Sequence, residues 1–463
     1  MSYNRGVRRL VLTALVLLAG CGKKSQPPTP EFTTVDEPVS VRRNVDILYM
    51  IDNSLGTSPK INEVRNRFPE LIQRLDQLAL DGKPASYHIG VVDSDMGAGI
   101  NTTSCKAGGD GGKLRTGPNP AGSVPPAADC QGFALGNGDV FIDYDTIHGT
   151  NNTAPLDVVS AFDCISNVGD NGCGFEAPLE AVYTVLAKPE VNPGFLRDDS
   201  LVAVLLMTDE DDCSAPPDTT LFENTADGMA MWGVLHSFRC TQWGIECNGM
   251  PLTGDALAPT SDCAPVVGGP LYDVSRYQQL LAPGGLRRHA EDIVFATIVA
   301  PPAPFGVTIT TPCADQASQS SCPILEHSCI APQNASFFAD PAVRIAAVSS
   351  AVPGAVVGSV CDTDYTPTVD AFADAIGARL TPGCLPGTVA DLATPDCGVA
   401  VDGAIFPHCA TTGADGCWEL VEDAGCAARS GPDGATQQLR LVVHGADASA
   451  TVAASCRVQE PAT

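Results

Sequence analysis

The sequence contains no Gly-x-Ser-x-Gly, no His-Glu-x-x-His and no phosphate-binding glycine loop, and its 7 histidines are scattered with none at ligand spacing. Nucleophilic hydrolysis, zinc proteolysis and nucleotide binding therefore carry no signal. The chain is not expected to be an enzyme, and a secreted hydrolase assembled from distant residues is the one catalytic reading left open. Positive charge is scarce: 26 Lys and Arg stand against 54 Asp and Glu, a net charge of -28. Nucleic acid and anionic lipid surfaces are excluded as partners, because either would be repelled. No two cysteines have Cys-x-x-Cys spacing, which removes the usual zinc frameworks.

At the start of the chain, Arg5, Arg8 and Arg9 precede the apolar run Leu10 to Leu18, which is far too short to cross a bilayer. Residues 1 to 20 read as a signal peptide. The following Leu18-Ala19-Gly20-Cys21 resembles a bacterial lipobox; the alternative is an ordinary secretory signal cut near Gly20. Lipid on Cys21 would hold the mature chain on a membrane without a transmembrane helix. Gly22 rather than Asp follows the cysteine, and the likeness to outer-membrane lipoproteins implies the outer membrane, on either its periplasmic face or the cell surface. Residues 21 to 44, rich in Pro and Thr, read as an extended tether with no packed structure.

Cysteine is abundant. Of 19, Cys21 is assigned to lipid, and the even remainder in an oxidising compartment reads as up to nine disulfides. They fall into even groups: Cys105, Cys130, Cys164, Cys173; Cys213, Cys240, Cys247, Cys263; Cys313, Cys322, Cys329, Cys361; and six from Cys384 to Cys456. Each group is expected to pair within itself and to staple one segment.

Val45 to Asp52 reads Val-Asp-Ile-Leu-Tyr-Met-Ile-Asp, and Leu201 to Asp209 reads Leu-Val-Ala-Val-Leu-Leu-Met-Thr-Asp. Apolar runs without polar alternation belong to strands covered on both faces, hence to a parallel sheet between helix layers. Further strands are expected at 87 to 92, 140 to 144 (an edge), 292 to 299 and 356 to 360. A first helix should start with Ser58 as N-cap and Pro59 at its first position. It would carry an apolar stripe from Ile61 to Leu78 and be kinked or split at Pro69. Later helices are expected around Phe175 to Leu186, Leu271 to Leu281, 344 to 349 and 367 to 380. The fold class is α/β, a doubly wound, mostly parallel sheet over residues 45 to 380. Cysteine-rich insertions at about 93 to 139, 210 to 270 and 300 to 340 all leave the carboxyl ends of strands. Residues 381 to 463 read as a small β-rich appendage that depends on its bridges.

Strand, Asp52-Asn53-Ser54, helix, and much later strand-Thr208-Asp209 resemble the von Willebrand factor type A (VWFA) fold and its metal-ion-dependent adhesion site. With Gly172 to Glu176, Asn192 to Arg197, Thr208 to Ser214 and Ser359 to Asp362, the order of motifs is similar to that of cysteine-rich type A lipoproteins of Gram-negative bacteria. The resemblance implies that Asp52, Ser54 and Asp209 hold a divalent cation, Mg or Ca, because a hard cation takes several oxygens and can leave one position open for a partner's carboxylate. It also implies two departures: Gly56 stands where the second hydroxyl is expected, and 170 to 176 contains neither Ser nor Thr. The alternative is that Asp52 and Ser54 cap the next helix while Asp209 accepts backbone N–H groups. The run Asp209 to Asp212 lacks the spacing of an EF-hand and reads as a solvated loop fastened by Cys213. Function is expected to be binding or adhesion to a protein or cell-envelope ligand through a degenerate site, with a metal-free envelope scaffold as the alternative. If Cys21 carries lipid, a Cys21→Ser variant is expected to leave the membrane fraction on ultracentrifugation; retention there would refute the anchor.

Overall fold

The computed structural model describes residues 32–38, 44–56, 58–77, 85–101, 105–119, 121–122, 125–145, 150–198, 200–313, 321–332, 334–380, 383–411, 414–424, 426–445 and 452–461. The signal peptide and Cys21 lie outside them.

The central element is β2 (Asn44–Ile51), buried at every residue from Val45 onward. Beside it lie β3 (Ser86–Asp93) and β6 (Leu201–Met207), and the sheet continues past β6 through strands Ile293–Val299 and Val356–Ser359, all parallel. Beyond β3, β4 (Ile142–Asp145) and β5 (Thr150–Asn151) run antiparallel, completing a 7-stranded mixed sheet. Because side chains alternate across a strand, even these unbroken apolar runs divide between two faces. Val45, Ile47, Tyr49 and Ile51 meet α1 (Ser58–Gln77), α2 (Val158–Ile165) and the helix Thr366–Arg379 through Phe68, Phe162 and Phe372. Leu48 and Met50 meet α3 (Pro178–Ala187) and the helices Ser275–Leu281 and Val343–Ser349 through Val182, Tyr277 and Ile345. The expected mixed α/β architecture with helices on both faces is present.

Local departures have physical causes. Pro69 lies inside α1 without splitting it, and Phe68 just before it stacks on Phe162 with ring centroids 3.5 Å apart. The side chains of Ser58, Pro59, Ile61 and Val64, and Leu78 as a whole, lie outside the described residues. Helix α2 was not expected from the sequence. Its start is set by Asp157, whose carboxylate accepts from Ser160 N at 2.7 Å, and it buries Ala161, Phe162 and Ile165 against the sheet. At 8 residues it is a little over two turns long, shorter than the window in which helical periodicity is read.

The tether requires a correction. Residues 32 to 38 are not without packed structure: β1 (Phe32–Pro38) pairs antiparallel with the strand Val452–Pro461, from Phe32 opposite Pro461 to Pro38 opposite Ser455. Thr33, Thr34 and Val35 favour an extended chain, and a partner some 420 residues away in sequence supplies the hydrogen bonds that no local pattern reveals. The same C-terminal strand continues the ladder to Cys397–Val401, and Trp418, Leu441 and Val458 bury a small core beneath it. The appendage is therefore β-rich, as expected, and carries 3 of the bridges.

All cysteines from Cys105 onward pair inside their groups, for example Cys105–Cys173, Cys213–Cys240, Cys329–Cys361 and Cys397–Cys456. Peptide mapping without reduction is expected to recover only within-group bridges. A peptide linking Cys456 to Cys105 would contradict the arrangement.

Candidate functional site

The parallel register of β2 and β6 places Ile51 beside Met207, so both strands release their chains at one level. Asp52 N donates to Met207 O at 3.0 Å and its carboxylate, fully buried, faces the neighbouring strand ends. Oδ1 accepts from Ser54 N at 2.8 Å and from Ser94 Oγ, just past β3, at 3.0 Å. Oδ2 accepts from Thr208 Oγ1, just past β6, at 2.7 Å. Three adjacent strands thus end on one carboxylate, which is where ligands of open α/β sheets bind.

Asp209 stands next to this anchor. Its Oδ1 is buried and has no hydrogen-bond partner. Burial, then the charges of Asp52 and Glu210, hold its carboxyl well above the usual range. Two more acids complete the group. Glu176, only 3% exposed, hydrogen-bonds the Glu210 carboxyl, a contact that two carboxyl groups make only by sharing a proton. Burial and the neighbouring acids push Glu176 well up, and burial followed by Asp340 and Asp52 pushes Glu210 up to about 8. Lys60, from the first turn of α1, feels Asp209 but is drawn down by its own burial; its Nζ lies 3.9 Å from the Phe337 ring centroid.

The glycine turn before α3 positions Glu176. Gly172 N donates to Asn53 O at 2.8 Å, and a Cβ on Gly172 would fall 2.1 Å from Asn53 Oδ1, so no larger residue fits against the Asp52 loop. Gly56, at φ +116°, would point a Cβ to within 4.0 Å of Asp209 Oδ2. A side-chain oxygen there would face Asp209; glycine leaves that place vacant.

Of the expected site residues, the structure brings Asp52, Ser54 and Asp209 to one rim. Ser54 contributes its N–H to Asp52, and Asp209, which the alternative has accepting backbone N–H groups, leaves Oδ1 without a hydrogen-bond partner. Sequence reading missed Ser94 and Lys60; Ser94 could have been found, since it follows a strand that ends on the same rim. The acidic run is not a solvated loop. Asp211 accepts from Arg344 N and Ile345 N at the start of helix Val343–Ser349, and Asp212 pairs with Arg344 at 3.1 Å with both side chains almost wholly buried. Short-range composition hid this because the partner, Arg344, is more than 130 residues away. Cys213 does fasten the loop, through Cys240.

A cavity of about 310 Å³ opens beside the acids, bounded by Phe175, Glu176, Glu210, Phe238, Ile324 and Phe338. Among the described residues, no three or more His, Cys, Asp or Glu side chains are grouped to hold a metal ion. The orphaned Asp209 oxygen and the mutual repulsion of the Asp52 and Asp209 carboxylates are nonetheless what a cation would relieve.

No protein-family model matches the chain, and no curated protein matches it. Among solved structures it is similar to a von Willebrand factor type A protein from Catenulispora acidiphila, at 10% identity over 95% of this chain and 68% of that one, TM-score 0.25. It is also similar to an adhesive tip pilin of Group B Streptococcus agalactiae, at 10% identity over 92% and 80%, TM-score 0.28. A third is the pilus adhesin of Streptococcus pneumoniae, at 9% identity over 92% and 58%, TM-score 0.30. At these scores no residue-by-residue correspondence follows.

An acid that holds its proton more tightly in the folded chain contributes stability that is complete below its unfolded range and is lost as pH rises through its folded value. For Glu210 that window runs from the ordinary 4.5 to about 8. In chelator, the urea midpoint is expected to decline across this window, and Glu210→Gln to reduce the decline. An equal slope in the variant would show that the carboxyl is not held neutral by folding.

Proposed function

We propose that the chain is a lipid-anchored binding protein of the cell envelope, of von Willebrand factor type A kind. It would engage a protein or envelope ligand on the rim around Asp52 and Asp209, with a divalent cation, Mg or Ca, as a weakly held participant. The observation that carries this reading is the buried Asp209 Oδ1 without a partner, next to a second carboxylate. Two neighbouring acids in a poorly hydrated place repel each other, and the repulsion becomes attraction when one positive charge sits between them. Asp52, Ser54 and Asp209 would hold the ion, and when bound it would supply a positive centre with a position open to a partner's oxygen.

The chain's own residues supply the rest. Ser94 and Thr208 fix the Asp52 carboxylate from both neighbouring strands, so it is oriented before any ligand arrives. The insertions stand around the rim and would supply specificity. With glycine at 56 and no hydroxyl in 170 to 176, fewer neutral oxygens are available, so affinity for the ion should be modest. A metal-free scaffold is the second reading. It is favoured by the three protein donors already on Asp52, which satisfy much of that carboxylate without an ion.

Calorimetric titration of the full chain in detergent with magnesium, manganese and calcium, wild type against Asp209→Asn, tests the proposal. Heat that disappears in the variant supports it. Binding indifferent to Asp209 would move the ion elsewhere, and no binding at all would leave the scaffold.

A further inference from the structure

We infer that the cavity beside the acidic pair is a recognition pocket for a basic side chain, Lys or Arg, presented by a protein ligand. This rests on reading the rim as a binding face, but needs no metal.

The cavity exists because separate segments meet. Phe175 comes from the turn before α3, Phe238 from the second insertion, and Ile324 and Phe338 from the third. Cys213, Cys240 and Cys322 lie in its wall, so the bridges Cys213–Cys240 and Cys313–Cys322 hold two of those segments in place. At about 310 Å³ it accommodates one long side chain rather than a folded element.

The chemistry of the wall selects the guest. Most other charged groups around the cavity are already matched: Asp211 by the first amides of helix Val343–Ser349, Asp212 by Arg344, and Asp340 by His327 at 2.7 Å. Among the acids that leaves Glu176 and Glu210; Arg344, also in the wall, is paired to Asp212 but keeps Nη1 without a hydrogen-bond partner. Glu176 is more than nine-tenths buried, faces the cavity, and forms no ion pair with any Lys, Arg or His among the described residues; its side-chain partner is another acid. Two carboxyl groups that share one proton have a single donor between them, and an ammonium or guanidinium group would supply several at once. Phe175, Phe238 and Ile324 would cover the methylene stem, as apolar surface does for Lys and Arg elsewhere. An acidic guest would meet two carboxyl groups, and an aliphatic guest would leave them unmatched.

A protein source is favoured over a free amine by the mouth. Ile324 is 40% and Phe338 44% exposed there, apolar surface that a small cation would not cover and that residues flanking a Lys or Arg would. The net charge of -28 works in the same direction by attracting a basic partner.

The test uses the full chain in detergent with EDTA, so that the outcome is separate from any ion at Asp209. The probes are Nα-acetyl-lysine methylamide, its norleucine counterpart, and a short peptide with one lysine between apolar residues. The lysine probe should bind at least about tenfold more tightly than norleucine by calorimetry or ligand-observed NMR, since the difference is one buried charge pair. Glu176→Gln should lower lysine affinity by at least about tenfold. Glu210→Gln, checked like it by circular dichroism, serves if the first variant does not fold. Phe338→Ala should weaken the peptide more than the small probe; equal effects on both would mean that a free amine, not a protein side chain, is the guest. Equal binding of lysine and norleucine, or unchanged affinity in both folded Glu variants, would overturn the inference. Lysine binding that fails while Asp209-dependent metal heat persists would refute this pocket and leave the proposed function standing; the reverse pair of results would do the opposite.

Discussion

The parallel pairing of β2 with β3 and β6 is the constraint on which the rim depends. Because Ile51 lies between Asp93 and Met207 in register, the next residues of all three chains arrive together, and Asp52 receives Ser94 and Thr208 without any long side chain reaching across. A shift of one residue in either pairing would reverse which side chains face which helix layer and would take the hydroxyls away from the carboxylate. The large apolar core and the polar rim are thus set by one register. In this alignment Val45, Ile47 and Tyr49 are buried on one face and Leu48 and Met50 on the other.

Above that rim a different kind of constraint operates. The insertions carry small apolar clusters, such as Phe175 and Phe222 packed among Cys105, Cys173, Cys213 and Cys240. Clusters of that size cannot offset the ordering of long loops by burial alone, and cross-links reduce the freedom that must be lost. The first group shows the logic most directly: Cys105 leaves the excursion after β3 and joins Cys173, in the turn that presents Glu176. The bridge therefore ties an insertion to the turn that bears a site residue.

What could be read from the sequence follows the range of the interactions involved. Strands β2 and β6 were legible because burial on both faces leaves an uninterrupted apolar run, and Asp52 and Asp209 were legible as the residues that stop those runs. Even counts of cysteine in separate stretches were enough to foresee within-group pairing. Features fixed by distant partners were not legible: β1 needs the strand Val452–Pro461, and Asp212 needs Arg344 before it becomes a buried ion pair rather than part of a charged loop. The cavity beside Glu176 is of the same kind, since its walls come from segments with no local signal in common.

The start of β2 shows how the same fold matches a buried acid with a partner from its own chain. At its start Asp46, wholly buried, accepts from Arg197 N at 2.7 Å and Arg197 Nε at 2.8 Å, and Ser200 also donates to it. Asp212 is resolved in the same way by Arg344. A buried carboxylate without such a partner is strongly destabilising, and its usual fates are neutralisation or pairing. At the rim, among the described residues, Asp209, Glu176 and Glu210 have no arginine, and Lys60 acts on Asp209 only through space while its own burial weakens its charge. Gln or Asn at these positions would fill nearly the same volume without the repulsion. The fold thus contains a ready means of matching an acid, uses it at both Asp46 and Asp212, and omits it where the insertions converge. Acids left without a basic partner, whose repulsion a positive charge would relieve, are the feature on which the proposed binding reading rests.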